Sequence, residues 1–407
     1  MKKQIMKNSV LASALFGLTA ASIAFYPMAK ASLTGAPPTP TAQHISSSIQ
    51  NQRNKIEVVF VLDTTGSMGG LIQAARENIW SIATTMASAE SAPEISIGLV
   101  AYRDRGDAYV TRVVDLSADL DSVYATLMDF QAAGGGDGPE SVNAALYDSI
   151  HGISWSQDPD TYKVVFLVGD APPHMDYRDD VKYPVTLQAA TAKGIIVNSI
   201  QCGEYEAVTR PWQQIAQLAG GRFFQVEQSG SAVAIATPFD SRIASLSKTL
   251  DETRLYYGSA EEKVKQEAKQ RAAEKLHRES SPAAQAKRAS FNTSASGERN
   301  FLGDGELVED VASGRVELEE IVLTDLPAPM QAMSPAEQRE VIETQARQRS
   351  ELKKQIQDLA QQRKDYLSEK VAEMDDAASS LDYQIFGAIK EQAAGKGLKY
   401  DGDAPAL

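Results

Sequence analysis

Three short loops carry the residues whose types and spacing could do chemistry. They are Asp63-Thr64-Thr65-Gly66-Ser67, Gly134-Gly135-Gly136-Asp137-Gly138-Pro139-Glu140-Ser141 and Gly169-Asp170-Ala171-Pro172-Pro173. Hard divalent cations take oxygen ligands from carboxylates, hydroxyls and water. Asp63, Thr65 and Ser67 stand two residues apart, so one turn can aim three oxygens at one point. Gly66 lets that turn bend tightly. The second loop offers carboxylates at Asp137 and Glu140 where a helix opens, and Pro139 suits a first helical turn. Asp170 brings a further carboxylate from another strand end. The set points to one divalent cation, Mg²⁺ first, with Mn²⁺ or Ca²⁺ as alternatives.

The surrounding elements explain how three distant loops could meet. Glu57 to Leu62 is a nearly continuous apolar run, as a buried parallel strand requires. Leu71 to Ala89 has helical spacing. Strands are expected over 95–102, 108–116, 162–168, 195–201 and 222–226. Helices are expected over 120–130, 140–150, 184–193, 212–219 and most of 232–257. This alternation predicts an α/β domain over 55–258, a doubly wound, mostly parallel six-stranded sheet flanked by helices. In such sheets ligands sit at the carboxyl ends of the strands, and the loop after the first strand and the loop at Asp170 follow strand ends directly.

At this point the residues resemble a known family, the von Willebrand factor type A (VWA) domain with its metal ion-dependent adhesion site. The family motif is D-x-S-x-S followed by two separate loops. Asp63-x-Thr65-x-Ser67 matches it with Thr in the middle position, which keeps a hydroxyl, and Asp170 matches the third loop. The second loop departs from the Thr-bearing form, and Asp137-x-Pro139-Glu140 looks more like the integrin β-type version. The resemblance therefore leaves two candidate ligands in this loop, Glu140 and Asp137, with Glu140 favoured and Asp137 then supporting it or serving a neighbouring cation. It covers about half of the chain. It also implies a mechanism in which a partner's Asp or Glu completes the coordination of the metal. Asp63, Glu140 and Asp170 would place three negative charges against two, which weakens attraction for an acidic ligand.

Other chemistries fit less well. A bare turn and helix cap would explain Asp63-Thr65-Ser67 alone but not the other two loops. A haloacid-dehalogenase phosphatase needs an acid where Thr65 stands. A nucleophile elbow at Thr65-Gly66-Ser67-Met68-Gly69 lacks its first glycine, with only His151 and His174 downstream as bases. No phosphate-loop or dinucleotide-loop glycine pattern occurs. Arg105-Gly106-Asp107 reads as a turn between strands. His174 and Asp176 lie beside the third loop, and Asp179 and Asp180 read as charges at a helix start. Trp212 and Cys202 read as core. No enzymatic activity is expected.

The net charge of −14 argues against nucleic acid and anionic membrane surfaces as partners. Residues 1–31 read as a cleavable export signal, with Lys2, Lys3 and Lys7, an apolar stretch from Val10 to Tyr26 and Ala29-Lys30-Ala31. A periplasmic or secreted protein with no membrane span after cleavage is expected, and its single cysteine excludes an internal disulfide. Residues 32–54 read as a flexible linker and 259–300 as a charged linker or helix. Residues 301–330 are expected to hold short strands over 306–323 and a turn, and 331–396 a helical region. There Ser334-Pro335-Ala336-Glu337 opens a long helix, whose apolar stripe is interrupted by Arg349, Arg363 and Lys370. That favours a helical hairpin or partner-binding helix over a committed coiled coil. The expected function is a cation-dependent binding module for a protein or cell-envelope ligand. The alternative is an assembly protein whose C-terminal helix makes the contacts.

Overall fold

The computed structural model describes residues 53–136, 138–227, 235–373 and 381–401. The expected export signal and nearly all of the expected 32–54 linker lie outside them. The expected sheet is present, six strands in the order β3-β2-β1-β4-β5-β6. These are β1 (Lys55–Asp63), β2 (Glu94–Tyr102), β3 (Thr111–Ser117), β4 (Tyr162–Gly169), β5 (Ile195–Cys202) and β6 (Phe223–Val226). All neighbours pair in parallel except β2 with β3, which are antiparallel. In the central strand, Ile56, Val58, Phe60 and Leu62 face one apolar layer, and Val59 and Val61 face the other. That two-sided burial is what a continuous apolar run specifies, because alternate side chains leave opposite faces of a strand.

Helices α1 (Gly69–Ala87) and α2 (Leu120–Leu127) cover the first face. Helices α3 (Val142–His151), α4 (Tyr183–Ala192) and α5 (Glu206–Leu218) cover the second. Trp212 is fully buried there and donates to the Ala171 carbonyl at 3.0 Å, so a core residue also fixes the third acidic loop.

The rest of the chain packs against this layer structure. After β6 come α6 (Asp240–Asp251), α7 (Ala260–Glu279), α8 (Pro282–Asn292), α9 (Glu298–Leu302), α10 (Leu307–Ala312), α11 (Pro335–Ala372) and α12 (Leu381–Ala394). Helix α12 lays Ile385, Phe386, Ile389 and Ala393 on the first face of the sheet. Its Gln392 bonds Tyr162 Oη at 2.8 Å and exchanges amide hydrogen bonds with Asn198. Beyond it, Glu90 N donates to the Lys399 carbonyl at 3.0 Å. The helix that closes the sheet thus arrives only after a long excursion of chain.

The charge-rich stretch 259–300 is helical. Ser259 and Glu262 form a capping box on α7, and Ser281 caps α8. What secures these polar helices is buried charge. Arg288 on α8 is fully buried and makes two bonds to Asp121 of α2, Nε to Oδ1 at 2.7 Å and the terminal nitrogen to Oδ2 at 2.6 Å. The same guanidinium reaches Asp251 at 2.9 Å, and His277 bonds that carboxylate at 2.8 Å. Beside this network Phe291 packs on Trp80, ring centroids 5.9 Å apart.

Two expectations need correction. Residues 306–323 form no strands among the described residues, but α10 and a 3₁₀ turn at Leu318–Glu320. Glu306 caps α10 by accepting from Glu309 N at 2.8 Å, and Leu307, Val308 and Val311 share one helical face. Spacing of three and four had outweighed an apparent alternation. The arginines of α11 are likewise anchors, not interruptions. Arg349 makes a bidentate pair with Glu306, both bonds at 2.8 Å, and Arg363 bonds Asp240 at 2.8 Å. Ile342, Leu352, Ile356, Leu367 and Val371 are buried within the chain itself, so no coiled-coil stripe is left for a partner. No helix among the described residues is long and apolar enough to cross a membrane.

Removing one member of a fully buried pair leaves the other charge uncompensated, which costs about 3–5 kcal/mol. Asp121→Ala is therefore expected to lower unfolding free energy by about 3 kcal/mol or more, measured by urea denaturation. A loss under about 1 kcal/mol would show that Arg288 finds enough compensation in Asp251 alone.

Candidate functional site

Asp63 ends β1, and the chain turns there because Thr64 N and Oγ1 both donate to the Tyr102 carbonyl, at 2.9 and 2.8 Å. Thr65 then donates twice to one carboxylate oxygen, its N at 2.9 Å and its Oγ1 at 2.7 Å from Asp63 Oδ1. The Ser67 hydroxyl lies 3.4 Å from that of Thr65, in a short 3₁₀ turn that opens α1. Asp63 and Thr65 are buried, and Ser67 is exposed. The hydroxyl line therefore runs from core to surface.

The glycine loop closes over this turn. Gly66 N donates to the Gly134 carbonyl at 3.1 Å, and Ala133 N to the Thr64 carbonyl at 3.1 Å. Gly134 and Gly135 have φ of 78° and 77°, the left-handed region that favours glycine. A Cβ on Gly135 would sit 3.1 Å from Glu140 Oε1 and 3.2 Å from Thr65 Cβ. Glu140 and Thr65 thus approach the same point of the loop. Glu140 is itself pinned by its backbone, its N donating to Pro172 O at 2.9 Å and its O accepting from His174 N at 3.1 Å. The second and third loops are therefore hydrogen-bonded to each other. Asp137 lies outside the described residues.

The electrostatics are strained. Asp63 Oδ2 and Glu140 Oε2 are buried and have no hydrogen-bond partner. Burial, with the neighbouring Asp170 charge, pushes the Asp63 carboxyl up to about 7 against its bonds from Thr65. Burial, then the charges of Asp63, Asp104, Asp107 and Asp170, pushes Glu140 up to about 8. Asp170, half-buried just past β4, is close enough to act on both. Among the described residues no group of three or more His, Cys, Asp or Glu side chains is arranged to hold a metal by itself. A cation here would have to draw on the Thr65 and Ser67 hydroxyls too, and the two orphaned carboxylate oxygens fit such an ion.

A supporting ring was not foreseen from sequence. Asp107 Oδ2 accepts from Gly135 N at 3.0 Å and so holds the glycine loop. Arg103 donates to Thr64 O at 3.1 Å and Gln131 O at 2.7 Å, tying the first loop to the approach to the second. Asp104, buried, accepts from the Ser141 hydroxyl at 2.7 Å and the Tyr177 hydroxyl at 2.8 Å, and lies 3.3 Å from His174 Nε2. Those bonds hold the Asp104 carboxyl below its usual range despite its burial. His174 stacks on Tyr177 and bonds Asp176 at 2.8 Å. Arg105 lies over Tyr177 and pairs with Asp179 and Asp180. Those two acids precede α4 and answer an arginine, which corrects their reading as helix-start charges. Both charged side chains of the Arg105-Gly106-Asp107 turn are engaged within the chain. The only sequence signal for this ring was its density of Asp, Arg and Tyr within 102–109, between two strands.

The family model for the von Willebrand factor A domain matches residues 57–228. An alpha-protein kinase, vwkA, of Dictyostelium discoideum is 28% identical over 121 residues, 29% of this chain and 19% of that protein. An ariadne-like RING finger protein of Acanthamoeba polyphaga mimivirus is 26% identical over 119 residues, 29% of this chain and 11% of that protein. The chain thus spans under a fifth of these relatives' length. Among solved structures, the VWA domain of SpRpn10 aligns at 12% identity and TM-score 0.34, covering 43% of this chain and 89% of that one. Proximal thread matrix protein 1 of the mussel byssus, with a zinc-occupied MIDAS motif, aligns at 14% identity and TM-score 0.33, covering 42% of each chain. Residues 57–228 of this chain form a von Willebrand factor A domain.

Proposed function

We propose that this domain is a divalent-cation-dependent protein-binding module working outside the cytoplasm, on a protein or cell-envelope ligand, without catalysis of its own. VWA domains commonly mediate protein interactions. One observation carries the metal reading, the buried and unpartnered oxygens Asp63 Oδ2 and Glu140 Oε2, which come from separate loops. Unpaired buried carboxylates are costly, so such a pair needs either protons or a cation. Asp63, Thr65, Ser67, Glu140 and Asp170 would hold the ion, Mg²⁺ by preference for these hard oxygens, with Mn²⁺ or Ca²⁺ as substitutes. Bound there, it would offer an open position to an oxygen of the partner, such as an acidic side chain. Thr65 orients Asp63 through two bonds to one oxygen and leaves the other oxygen for the ion.

Location outside the cytoplasm rests on the N-terminal sequence. The partner face would be the rim of the sheet's carboxyl end, where Met175, Val181, Val185 and Tyr205 are exposed around the loops. The alternative, contacts made through the stripe of α11, is disfavoured because that stripe is used internally.

Calorimetry with MgCl₂ is expected to detect one saturable site in the wild type and none in Asp63→Ala, whose circular dichroism should stay native. Capture of an envelope ligand by the full chain should vanish with chelator and with the same substitution. Uptake of Mg²⁺ by Asp63→Ala at wild-type affinity would sink the assignment.

Protons and cation must compete. A carboxyl raised in the folded state binds its proton more tightly there, so it favours folding fully below its unfolded value and loses that contribution as pH rises through its folded value. With chelator present, stability is therefore expected to fall from about pH 4 to about pH 8, the window set by the ordinary carboxylate values below and by Asp63 near 7 and Glu140 near 8 above. Mg²⁺ affinity should rise over the same window. A pH-independent dissociation constant would contradict this coupling.

A further inference from the structure

At the amino ends of β4 and β5, far along the strands from the acidic loops, the surface folds into a cleft of about 510 Å³. Lys163, Lys193 and Lys396 line it together with Trp155, Ser156 and Thr161, and no acidic side chain does. That is unexpected in a chain of net charge −14. Lys163 is only 5% exposed, yet none of the three lysines forms a salt bridge among the described residues. Each ammonium instead leans on a backbone carbonyl. Lys163 donates to Lys193 O at 3.4 Å, Lys193 to Ile150 O at 2.6 Å and Lys396 to Pro159 O at 2.5 Å. Glu57, whose carboxyl feels the Lys163 charge, is committed to Ser156 N at 2.9 Å and lies outside the cleft lining.

An ammonium carries three donors, so one carbonyl apiece leaves two on each lysine. Lys163 is buried with Glu57 as its nearby counter-charge, Lys396 is half-buried and Lys193 exposed, so three ammoniums with spare donors leave this cleft with an excess of positive charge. The Ser156 hydroxyl, which accepts from Thr161 Oγ1 at 3.3 Å, adds a neutral donor, and Ile153 and Trp155 give an apolar wall. A phosphate group, with close to two negative charges and three strong acceptor oxygens, matches this set better than a single carboxylate does. The volume lies within the range of small-molecule sites.

We propose that this cleft binds a small phosphate-bearing molecule, its phosphate held by Lys163, Lys193 and Lys396 and its hydroxylated body lying against Ser156, Thr161 and Trp155. Lys396 follows α12, so the ligand would bridge the sheet and the segment that closes it. Binding would then stabilise the whole fold by mass action.

The test is calorimetric titration of the full chain with inorganic phosphate, glucose 6-phosphate and glucose at constant ionic strength. Inorganic phosphate and glucose 6-phosphate should bind one site and raise Tm, the sugar phosphate more tightly, and glucose should not bind. Lys193→Ala and Lys396→Ala, both away from the core, should each weaken binding about tenfold, the order expected for losing one charge-assisted bond. Lys354→Ala, on the exposed side of α11, should leave it unchanged. Absence of saturable binding by both phosphate probes would overturn the proposal. Equal binding of glucose, or wild-type affinity in the Lys193→Ala/Lys396→Ala double variant, would overturn it too.

Discussion

Neighbouring carboxylates repel one another, and the carboxyl end of this sheet gathers three of them, two buried and one half-buried. Asp63 and Glu140 are removed from water, Asp170 acts on both, and the first two keep an oxygen with no donor to meet it. Nothing in packing favours such an arrangement. It persists because the backbone around it is over-determined. Thr64 is bonded to Tyr102, Gly66 to Gly134, Ala133 to Thr64 and Glu140 to Pro172 and His174. These main-chain bonds lock the three loops together whatever the charge state of the acids. The strain is held in place by the scaffold, as at sites where a fold prepares a position for a ligand.

The same constraint explains why the domain does not end at its last strand. A parallel sheet buries both faces, and the first face here is covered in part by α12 and by Phe291 and Leu276 of α8 and α7. The intervening helices form smaller apolar clusters of their own, and buried ion pairs add direction to that packing. Arginine–carboxylate pairs do that work at three places, bidentate for Arg288 with Asp121 and Arg349 with Glu306, and through Nε for Arg363 with Asp240. Paired guanidinium and carboxylate groups are directional, and they fix the angle at which a polar helix docks. A chain cut near Gly258 would therefore expose the apolar sheet face and leave Asp121 unpaired.

The sheet and the acidic loops were legible in the sequence because both are local signals. A continuous apolar run followed by Asp-x-Thr-x-Ser needs only a dozen residues to be read. What could not be read depends on partners far apart in the chain. Arg288 and Asp121 are 167 residues apart, and nothing near either residue announces the other. Arg349 and Arg363 looked like breaks in a stripe because their acids lie far off in the chain, at the cap of α10 and on α6. The strands expected over 306–323 failed for a different reason. A few valines with polar neighbours fit both periods, and the Glu306 cap decided for the helix. Asp107 was set aside as part of a surface turn, although it is the residue that carries the glycine loop.

That loop shows how closely sequence and site are bound. A side chain on Gly134 would collide with the Asp107 carboxylate, and one on Gly135 would press on both Glu140 and Thr65. Both glycines also hold positive φ, so any substitution meets steric and conformational cost together. The middle hydroxyl residue of the first loop is Thr, and its methyl occupies part of the space that the missing side chains leave. The extra carbon of Thr65 and the absent carbon of Gly135 are therefore complementary. A bulkier residue at either place would push Glu140 away from Asp63. The glycine run is thus a requirement of the carboxylates' approach, and the unpartnered oxygens follow from it.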